Sequence, residues 1–374
     1  MTLFLNSLID STVLANQIAA TPGFIVGPIS TVFGYVIDFL FNLVFNVLGP
    51  AHSLGITIIL ITIIFRMLLL PLTLKGQRSM AKMREIKPEL DKIQAKYGNS
   101  KDPEIMKKAN AERSAVMAKH GANPLSGCLP MLVQMPLFIG LNFIMHQAFL
   151  YISRLNEVYR ALAEAIIRVP GVFDANGVVR RLATPLVPDR MHNAAVQAQD
   201  LLNQGYSMEA VREMADEFIV MSDPADLSRV LNRFTPENWQ YLFDNIPAEY
   251  LPDIMALQAQ LVEIETFFGL SMIANTGLGW PGILIPIICV LTMLTSTWLM
   301  QLRMNDPNAT DQQKMQQKIM LVVMPVIMAV MTVQFPAGVG LFWVTGQIIA
   351  VTQEIIMNRK EKIPFRFPWQ PAEA

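Results

Sequence analysis

Long apolar stretches dominate the pattern of hydrophobic and polar positions along this 374-residue chain. Crossing the hydrocarbon core of a bilayer takes about 20 apolar residues in a helix. This pattern predicts five membrane-spanning helices, near residues 54–75, 124–150, 281–302, 318–335 and 337–357. The last two meet at Phe335-Pro336-Ala337-Gly338, where proline and glycine predict a tight turn between antiparallel spans.

An earlier apolar stretch, residues 24–50, carries one polar stripe. Asp38, Asn42 and Asn46 recur there every four residues among Phe, Leu, Val and Ile. One polar stripe on an apolar helix is typical of an amphipathic helix that lies in the membrane interface. We therefore predict an interfacial helix, with a sixth span as the alternative. Residues 1–23 contain no Lys or Arg, which is unlike the basic start of a signal peptide.

Charge is distributed asymmetrically, although the net charge is only −1. The segment 76–122 holds eleven Lys/Arg against six Asp/Glu, whereas 151–270 holds nine Arg, no Lys and seventeen Asp/Glu. Because basic loops stay in the cytoplasm, the first segment is predicted to be cytosolic and the second extracytoplasmic. The N-terminal segment 1–23 is then outside, and the loop 303–317 and the tail 358–374 are cytosolic.

The two polar segments differ in their predicted structure. Residues 76–122, which we call the basic hairpin, show helical spacing that Gly98-Asn99-Ser100 interrupts and Asp102-Pro103 restarts. This pattern predicts a helical hairpin, and a solvated charged linker is the alternative. Residues 151–270, which we call the insertion, contain several prolines between segments of helical periodicity, notably 200–220 and 252–268. The insertion is therefore predicted to consist of several short helices.

Composition supports a membrane protein and excludes several other classes. Hydrophobic residues make up 52% and charged residues 16% of the chain, against about 25% charge in soluble domains. Cys128 and Cys289 lie in apolar segments, so no disulfide framework is indicated. The four histidines lack metal-ligand spacing, and no phosphate loop, nucleophile elbow or dinucleotide fingerprint is present. We expect no cofactor, no metal, no direct reading of nucleic acid and no enzymatic reaction.

Arg66 is the most informative polar residue, because it lies about twelve residues into the first predicted span. A charge near the middle of the bilayer costs several kcal/mol and must face protein or a wet cavity. No acidic residue falls inside the five predicted spans except Glu354, near the inner end of the last. Water is therefore the expected solvation of Arg66. A structural arginine bonded to backbone carbonyls is the alternative.

Other polar residues of the spans can join Arg66 around one polar concavity. Thr62 lies one turn before Arg66 on the same face of its helix. The remaining candidates lie on the second, third and fifth predicted spans: Gln134, Asn142, Thr292, Thr295, Ser296, Trp343 and Gln347. Each alone could simply bond a neighbouring helix, as polar residues in spans often do.

Several motifs in the predicted spans and at the start of the hairpin resemble a known family, the YidC insertases, which include the mitochondrial oxidase-assembly insertase. Phe65-Arg66, Pro71-Leu72-Thr73 and Ser79-Met80-Ala81-Lys82-Met83 are similar to the family's first core span and the start of its hairpin. The motifs similar to its second, fourth and fifth spans are Asn123-Pro124-Leu125-Ser126-Gly127-Cys128-Leu129-Pro130, Gln134-Met135-Pro136, Gln317-Lys318-Ile319-Met320, Met324-Pro325-Val326 and Phe335-Pro336-Ala337-Gly338.

The resemblance implies an all-α integral membrane protein of the bacterial cell membrane, with five spans around a hydrophilic groove. It implies an interfacial helix before the core and a cytosolic hairpin that receives nascent membrane proteins from the ribosome and targeting factors, with the Sec translocon as a further candidate partner. Arg66 matches the family's groove arginine, Thr62 and Trp343 fall where the family contacts its substrate, and Gln134 matches a groove-lining position. The chain departs from the family in its long insertion and in its short, weakly basic tail.

Three other functions compete with insertion of membrane proteins. A secondary transporter or channel could use Arg66 as an anion site, but transporters often carry internal repeats, which we do not find. An intramembrane enzyme would need a set of catalytic side chains within the spans, and none is evident. A signalling receptor would use the insertion to bind a ligand, and only the presence of that segment favours this function.

Overall fold

The computed structural model describes residues 23–98, 102–122, 129–174, 177–183, 204–205, 207, 223–304, 315 and 319–360. Within them the regular structure is helical apart from one short two-stranded hairpin. The all-α membrane architecture expected from the sequence is therefore confirmed. The chain divides into two compact units, one formed mainly by 31–57 and 144–273 and the other mainly by 58–143 and 274 onward.

Four helices in the described part of the chain are long and apolar enough to cross a membrane. These candidate spans are Ser30–Leu48, Ser53–Gly76, Leu284–Leu302 and Ala337–Lys360, and Leu321–Gln334 is a shorter apolar stretch. They belong to helices α1 (Gly23–Leu48), α2 (Ser53–Glu85), α12 (Leu284–Met304), α13 (Met324–Gln334) and α14 (Ala337–Lys360). Helix α5 (Leu129–His146) falls within the predicted second span, whose residues 124–128 lie outside the described residues.

Helix α2 is longer than the sequence suggested, because it continues without a break from Ser53 to Glu85. Residues 76–85, which we expected to open the basic hairpin, therefore extend the helix of the first span. The hairpin proper consists of α3 (Lys87–Tyr97) and α4 (Pro103–His120). Asp102 caps α4 by accepting a hydrogen bond from the Glu104 amide at 2.9 Å, and Gly121 ends it in a left-handed conformation.

The fourth span is irregular and its turn into the fifth lies where the sequence predicts it. A π-helical turn at Ile319–Val323 runs directly into α13, and Pro325, the second residue of that helix, has no amide to donate to the preceding turn. Helix α13 ends at Gln334 and α14 begins at Ala337, so the predicted break at Phe335-Pro336 is confirmed. The Thr276 amide donates a hydrogen bond to the Phe335 carbonyl at 2.9 Å, which ties the turn to the segment before α12.

The insertion folds into short helices, as predicted, around its own core. Helix α6 (Ala148–Tyr151) leads into the insertion, whose described elements are α7 (Ser153–Ile167), α8 (Val178–Ala183), α9 (Pro224–Leu231), α10 (Pro236–Asp244), α11 (Leu251–Glu265), β1 (Thr266–Phe267) and β2 (Leu270–Ser271), which ends one residue beyond it. Helix α7 packs against α9 and α11 through fully buried residues at helical spacing, Leu155, Tyr159, Leu162 and Ile166. The predicted helix at 200–220 lies outside the described residues, apart from three isolated positions, and the strands were not predicted.

The polar stripe of α1 contacts protein, which differs from the water-facing stripe expected for an interfacial helix. The Asp38 carboxylate accepts hydrogen bonds from the amide and hydroxyl of Ser153 at 2.7 and 2.8 Å. Arg154 donates to the amide oxygens of Asn42 and Asn46 at 3.0 and 2.9 Å. Ile152, which precedes α7, has no side-chain acceptor, so Asp38 supplies the cap from another helix. Whether α1 lies in the interface or spans the membrane stays a prediction.

A buried carboxyl group joins α7 and α11 inside the insertion. The Tyr159 hydroxyl donates a hydrogen bond to Glu265 Oε1 at 2.8 Å, and both side chains are buried. Burial raises the pKa of Glu265 from 4.5 to about 8, although the hydrogen bond from Tyr159 opposes this shift. The Glu265 carboxyl group is therefore mostly neutral at pH 7.

We expect the insertion to lose stability as pH rises between the two pKa values of Glu265. In that range the unfolded carboxyl is ionised while the folded one holds its proton, so unfolding releases a proton. The free energy of unfolding then falls by up to about 1.4 kcal/mol per pH unit from pH 4.5 to about 8, and this slope disappears outside that range. Glu265→Gln should flatten the profile, as measured by hydrogen exchange of the α7 and α11 amides.

The exposed neighbour Glu263 offers a matched control, since it is the same residue type on the same helix but lies at the surface. Glu263→Gln should keep the pH slope of the wild-type chain. An unchanged slope in Glu265→Gln would show that the buried carboxyl does not control the stability of the insertion.

Candidate functional site

The structure places Arg66 deep within a candidate span. It lies 13 residues after Ser53 and 10 before Gly76, the two ends of that span. At 1.5 Å per residue, its backbone is roughly 20 Å from the start of the span. The side chain is only half-buried, and a charge at this depth is costly unless water or a polar group solvates it.

Within the described residues, no carboxylate forms an ion pair with Arg66. The ion pairs found in that part of the chain lie in the basic hairpin and in the insertion. Glu354 is buried on α14, eight residues or roughly 12 Å along the helix from the residue that Arg66 contacts. Among the described residues, Glu354 is therefore at a different level of α14 from the residue that the guanidinium contacts.

The guanidinium group of Arg66 lies directly against the backbone of α14 at Gly346. A β-carbon at position 346 would lie 2.6 Å from Nη2, 3.0 Å from Nε and 3.2 Å from Cζ of Arg66. Glycine inside a helix costs about 1 kcal/mol relative to alanine, so a local packing reason is needed for it. The sequence reasoning missed Gly346, although a glycine in the middle of a span was a signal that could have identified it.

An aromatic cluster lies next to this contact along α14. Trp343, three residues before Gly346, packs edge-on against Phe138 of α5 with ring centroids 5.4 Å apart. Phe138 also packs edge-on against Phe335, at 5.1 Å. The Trp343 indole nitrogen is buried and finds no hydrogen-bond acceptor among the described residues. Trp343 therefore lies three residues along α14 from the glycine that Arg66 contacts, and no described residue accepts a hydrogen bond from its indole N–H.

Helix α5 presents two of the predicted site residues on the face that carries Phe138. Gln134 and Asn142 lie four residues before and four residues after Phe138, so the three share one side of the helix. Both polar side chains are half-buried. The contacts of Phe138 with Trp343 and of Arg66 with Gly346 thus bring α2, α5 and α14 together around the predicted site.

The hydroxyl groups predicted to surround Arg66 are bonded to their own helices. Thr62 is buried and donates to the Ile58 carbonyl at 2.6 Å. Thr292 donates to the Ile288 carbonyl at 2.7 Å, and Thr295 to the Leu291 carbonyl at 2.8 Å. A hydroxyl that donates to its own backbone contributes less polarity to a shared cavity than the sequence pattern implied.

Three other predicted residues lie where α12 packs against α14. The backbone of Gly340 approaches Ile285, and the Asn358 side chain donates to the Leu299 carbonyl at 3.0 Å. Helical periodicity places Thr292 and Ser296 on the same face of α12, and Gln347 on the same face of α14. Gly346, and with it Arg66, lies about a third of a turn away from that face. Whether these three residues also line the arginine site stays a prediction.

These features define a class of protein: a multi-pass helical membrane protein with a deep arginine that no described carboxylate neutralises. The sequence profile of the 60Kd inner membrane protein family matches residues 45–169 and 240–364. The chain belongs to this family. The unmatched residues between the two blocks, 170–239, lie within the insertion.

Three relatives of this chain are each named as a membrane protein insertase. The chain is 26% identical over 330 residues to "Membrane protein insertase YidC" of Oceanobacillus iheyensis, covering 88% of this chain and 83% of that protein. It is 41% identical over 127 residues to "Membrane protein insertase YidC 1" of Bacillus cereus, and 48% identical over 86 residues to "Membrane protein insertase MisCA" of Bacillus subtilis. The last two alignments cover 46% and 33% of those relatives.

We expect water to reach position 66 and to be excluded from the lipid-facing side of the same helix. In a chain without Cys128 and Cys289, Arg66→Cys should react with a charged thiol reagent in native membranes. Leu68→Cys is the matched control, because this residue is 68% exposed in the protein but would face hydrocarbon. It should stay unmodified, since a charged reagent is excluded from lipid.

A second control establishes that the reagent reaches the protein. Met106→Cys, on an exposed position of the basic hairpin, should react fully. Reaction at position 106 without reaction at position 66 would show that the arginine site is dry.

Proposed function

We propose that this chain is a membrane protein insertase that acts without hydrolysing nucleotide. Polar flanks of nascent membrane proteins enter a hydrated groove around Arg66, and hydrophobic segments are released sideways into lipid. The observation that carries the proposal is the depth of Arg66 without a carboxylate partner in the described residues. The names of the relatives supply independent support.

The electrostatics of this groove favour acidic polar flanks. Two unit charges 4 Å apart interact by about 1 kcal/mol in bulk water and by about 4 kcal/mol near a protein surface. A positive charge that no described acidic side chain neutralises can therefore attract an aspartate or glutamate of the membrane protein that is being inserted. We call such an inserting protein a client. Trp343, whose indole N–H lacks a described acceptor, can donate a hydrogen bond to the same flank. We assign Arg66 and Trp343 the central roles, with Gln134 and Asn142 lining the groove.

The driving force for release is the burial of the new span in lipid. Apolar surface gains about 25 cal/mol for each Å² removed from water, so a whole hydrophobic segment contributes far more than one polar flank costs. Water within the membrane shortens the distance that the flank must travel through hydrocarbon. The groove thus lowers a barrier, and no chemical reaction is required.

The proposed orientation follows from the charge of the loops. The basic hairpin faces the cytosol and the insertion faces the outside of a bacterial cell membrane, with the N-terminus outside and the C-terminus inside. The aromatic cluster of Phe138, Phe335 and Trp343 then lies on the outer side of the Arg66 level and can close the groove there. Nascent chains, delivered by the ribosome and targeting factors, approach from the hairpin side, with the Sec translocon as a further candidate partner.

Arg66→Ala should impair the insertion of clients with acidic translocated flanks by at least about fivefold, the effect of losing about 1 kcal/mol of attraction. Clients with neutral flanks should be affected much less. The measurement is insertion of paired clients into liposomes that contain the purified protein. Arg66→Lys keeps the positive charge and should therefore retain more of the selectivity for acidic flanks than Arg66→Ala does.

Equal losses for the acidic and neutral clients would remove the electrostatic part of the mechanism. Ion or solute flux through the purified protein in the absence of a client would instead favour a transporter or channel that uses Arg66 as an anion site.

Replacing residues 87–120 of the basic hairpin by a short Gly/Ser linker should block insertion of ribosome-delivered clients and leave the core folded. These bounds follow the helices α3 and α4 and spare α2, whose helix continues to Glu85. The readouts are insertion in native membranes and thermal unfolding in detergent. Full insertion activity without the hairpin would exclude a recruiting role.

A point variant provides the control for the hairpin experiment. Lys96 and Glu112 form an exposed ion pair between α3 and α4 at 3.0 Å. Such pairs contribute little to stability, so Glu112→Gln should keep both the hairpin and its activity.

A further inference from the structure

We infer that Gly346 is the positioning residue of the arginine site, and that the absence of a side chain there determines where the positive charge of Arg66 stands. This inference rests on the proposed function, because it assigns a role in client selectivity to a residue that was not among the predicted groove residues. Its basis is the set of three distances from the guanidinium to the position that a β-carbon of residue 346 would occupy.

The contact involves the far end of a flexible side chain. Nη2, Nε and Cζ of Arg66 all lie within 3.2 Å of the position of that missing β-carbon. Carbon and nitrogen atoms of non-bonded groups prefer a separation of about 3.5 Å or more. A methyl group at residue 346 would therefore push the guanidinium roughly 1 Å away from α14, while the backbones of α2 and α14 need not move.

Gly340 shows how an ordinary packing glycine differs on the same helix. A β-carbon there would lie 2.5 Å from Cγ2 of Ile285, an apolar side chain of α12. Gly340 thus allows two helices to pack, whereas Gly346 makes room for a charged group. The nearest approach is similar at the two glycines, so Gly340 is a control for crowding by apolar side chains, Ile285 at 2.5 Å and Thr332 at 3.4 Å.

The consequence is a prediction about client choice. If Gly346 sets the position of the charge, a side chain at 346 changes how well acidic flanks are attracted and has little effect on neutral flanks. A residue that merely supports the fold would impair both kinds of client to the same degree. The ratio of acidic-flank to neutral-flank insertion therefore separates positioning from structural support.

The test compares Gly346→Ala and Gly340→Ala in full-length protein reconstituted in liposomes. Gly346→Ala should lower the ratio of acidic-flank to neutral-flank insertion by at least about threefold, and Gly340→Ala should leave the ratio unchanged. Adding Gly346→Ala to an Arg66→Ala chain should cause no further fall in the ratio, because the group that it displaces is already gone. A further fall in the double variant, or an unchanged ratio in Gly346→Ala together with an unmoved Arg66 nitrogen signal, would overturn the inference.

A second measurement does not depend on insertion activity. Solid-state NMR of arginine-labelled protein should show a changed side-chain nitrogen shift for Arg66 in Gly346→Ala and an unchanged one in Gly340→Ala. The Arg66 signal is identified by its loss in Arg66→Ala. An unmoved signal would refute the positioning role even if the proposed function holds, whereas a moved signal without client selectivity would count against the proposed function alone.

Should Gly346→Ala fail to fold, the double variant with Arg66→Ala decides the question. Recovery of folded protein would support the inference, because shortening residue 66 restores the space that the methyl group needs. Continued misfolding would show that residue 346 contacts something other than the guanidinium and would overturn the inference.

Discussion

The structure around the candidate spans depends on one constraint: the guanidinium group of Arg66 has to be solvated inside an apolar helix. Arg66 lies in the middle of a candidate span, and no carboxylate in the described part of the chain pairs with it. The fold makes room for the charged group by placing a bare glycine of α14 against it. Hydrocarbon does not solvate such a charge, so protein groups or water have to do so. The hydrated groove that we propose depends on this one residue and its surroundings.

Other polar groups in apolar surroundings are treated differently, since the structure gives them local partners. Asp38 caps the start of α7, Thr62 and Thr292 donate to their own helices, and Asn358 donates to the carbonyl of Leu299. The Glu265 carboxyl receives a hydrogen bond from Tyr159 and stays mostly neutral at pH 7, because burial raises its pKa to about 8. Among the described residues, by contrast, Arg66 has no carboxylate partner and the buried indole N–H of Trp343 has no acceptor.

Much of the architecture could be predicted from the sequence, because hydrophobic length and charge act locally. The all-helical membrane class, the turn at Phe335-Pro336, the capped hairpin helix at Asp102 and the helical nature of the insertion each depend on a few neighbouring residues. The limits of α2 could not be predicted, since a helix continues past the membrane surface whenever its residues permit it. The polar stripe of α1 was assigned to water because periodicity identifies a polar face but not the partner that it contacts.

The sequence by itself determined that an arginine lies deep in a span with no acid at its depth, because charge and hydrophobic length are properties of the chain alone. Only the tertiary structure decided which residues surround that arginine. It brought Gly346 of α14 against the guanidinium, and it packed Trp343, three residues earlier on α14, against Phe138 of α5. The reason is geometric: helix rotation and packing fix which of several polar faces meet, and residues far apart in sequence carry no local signal of that choice.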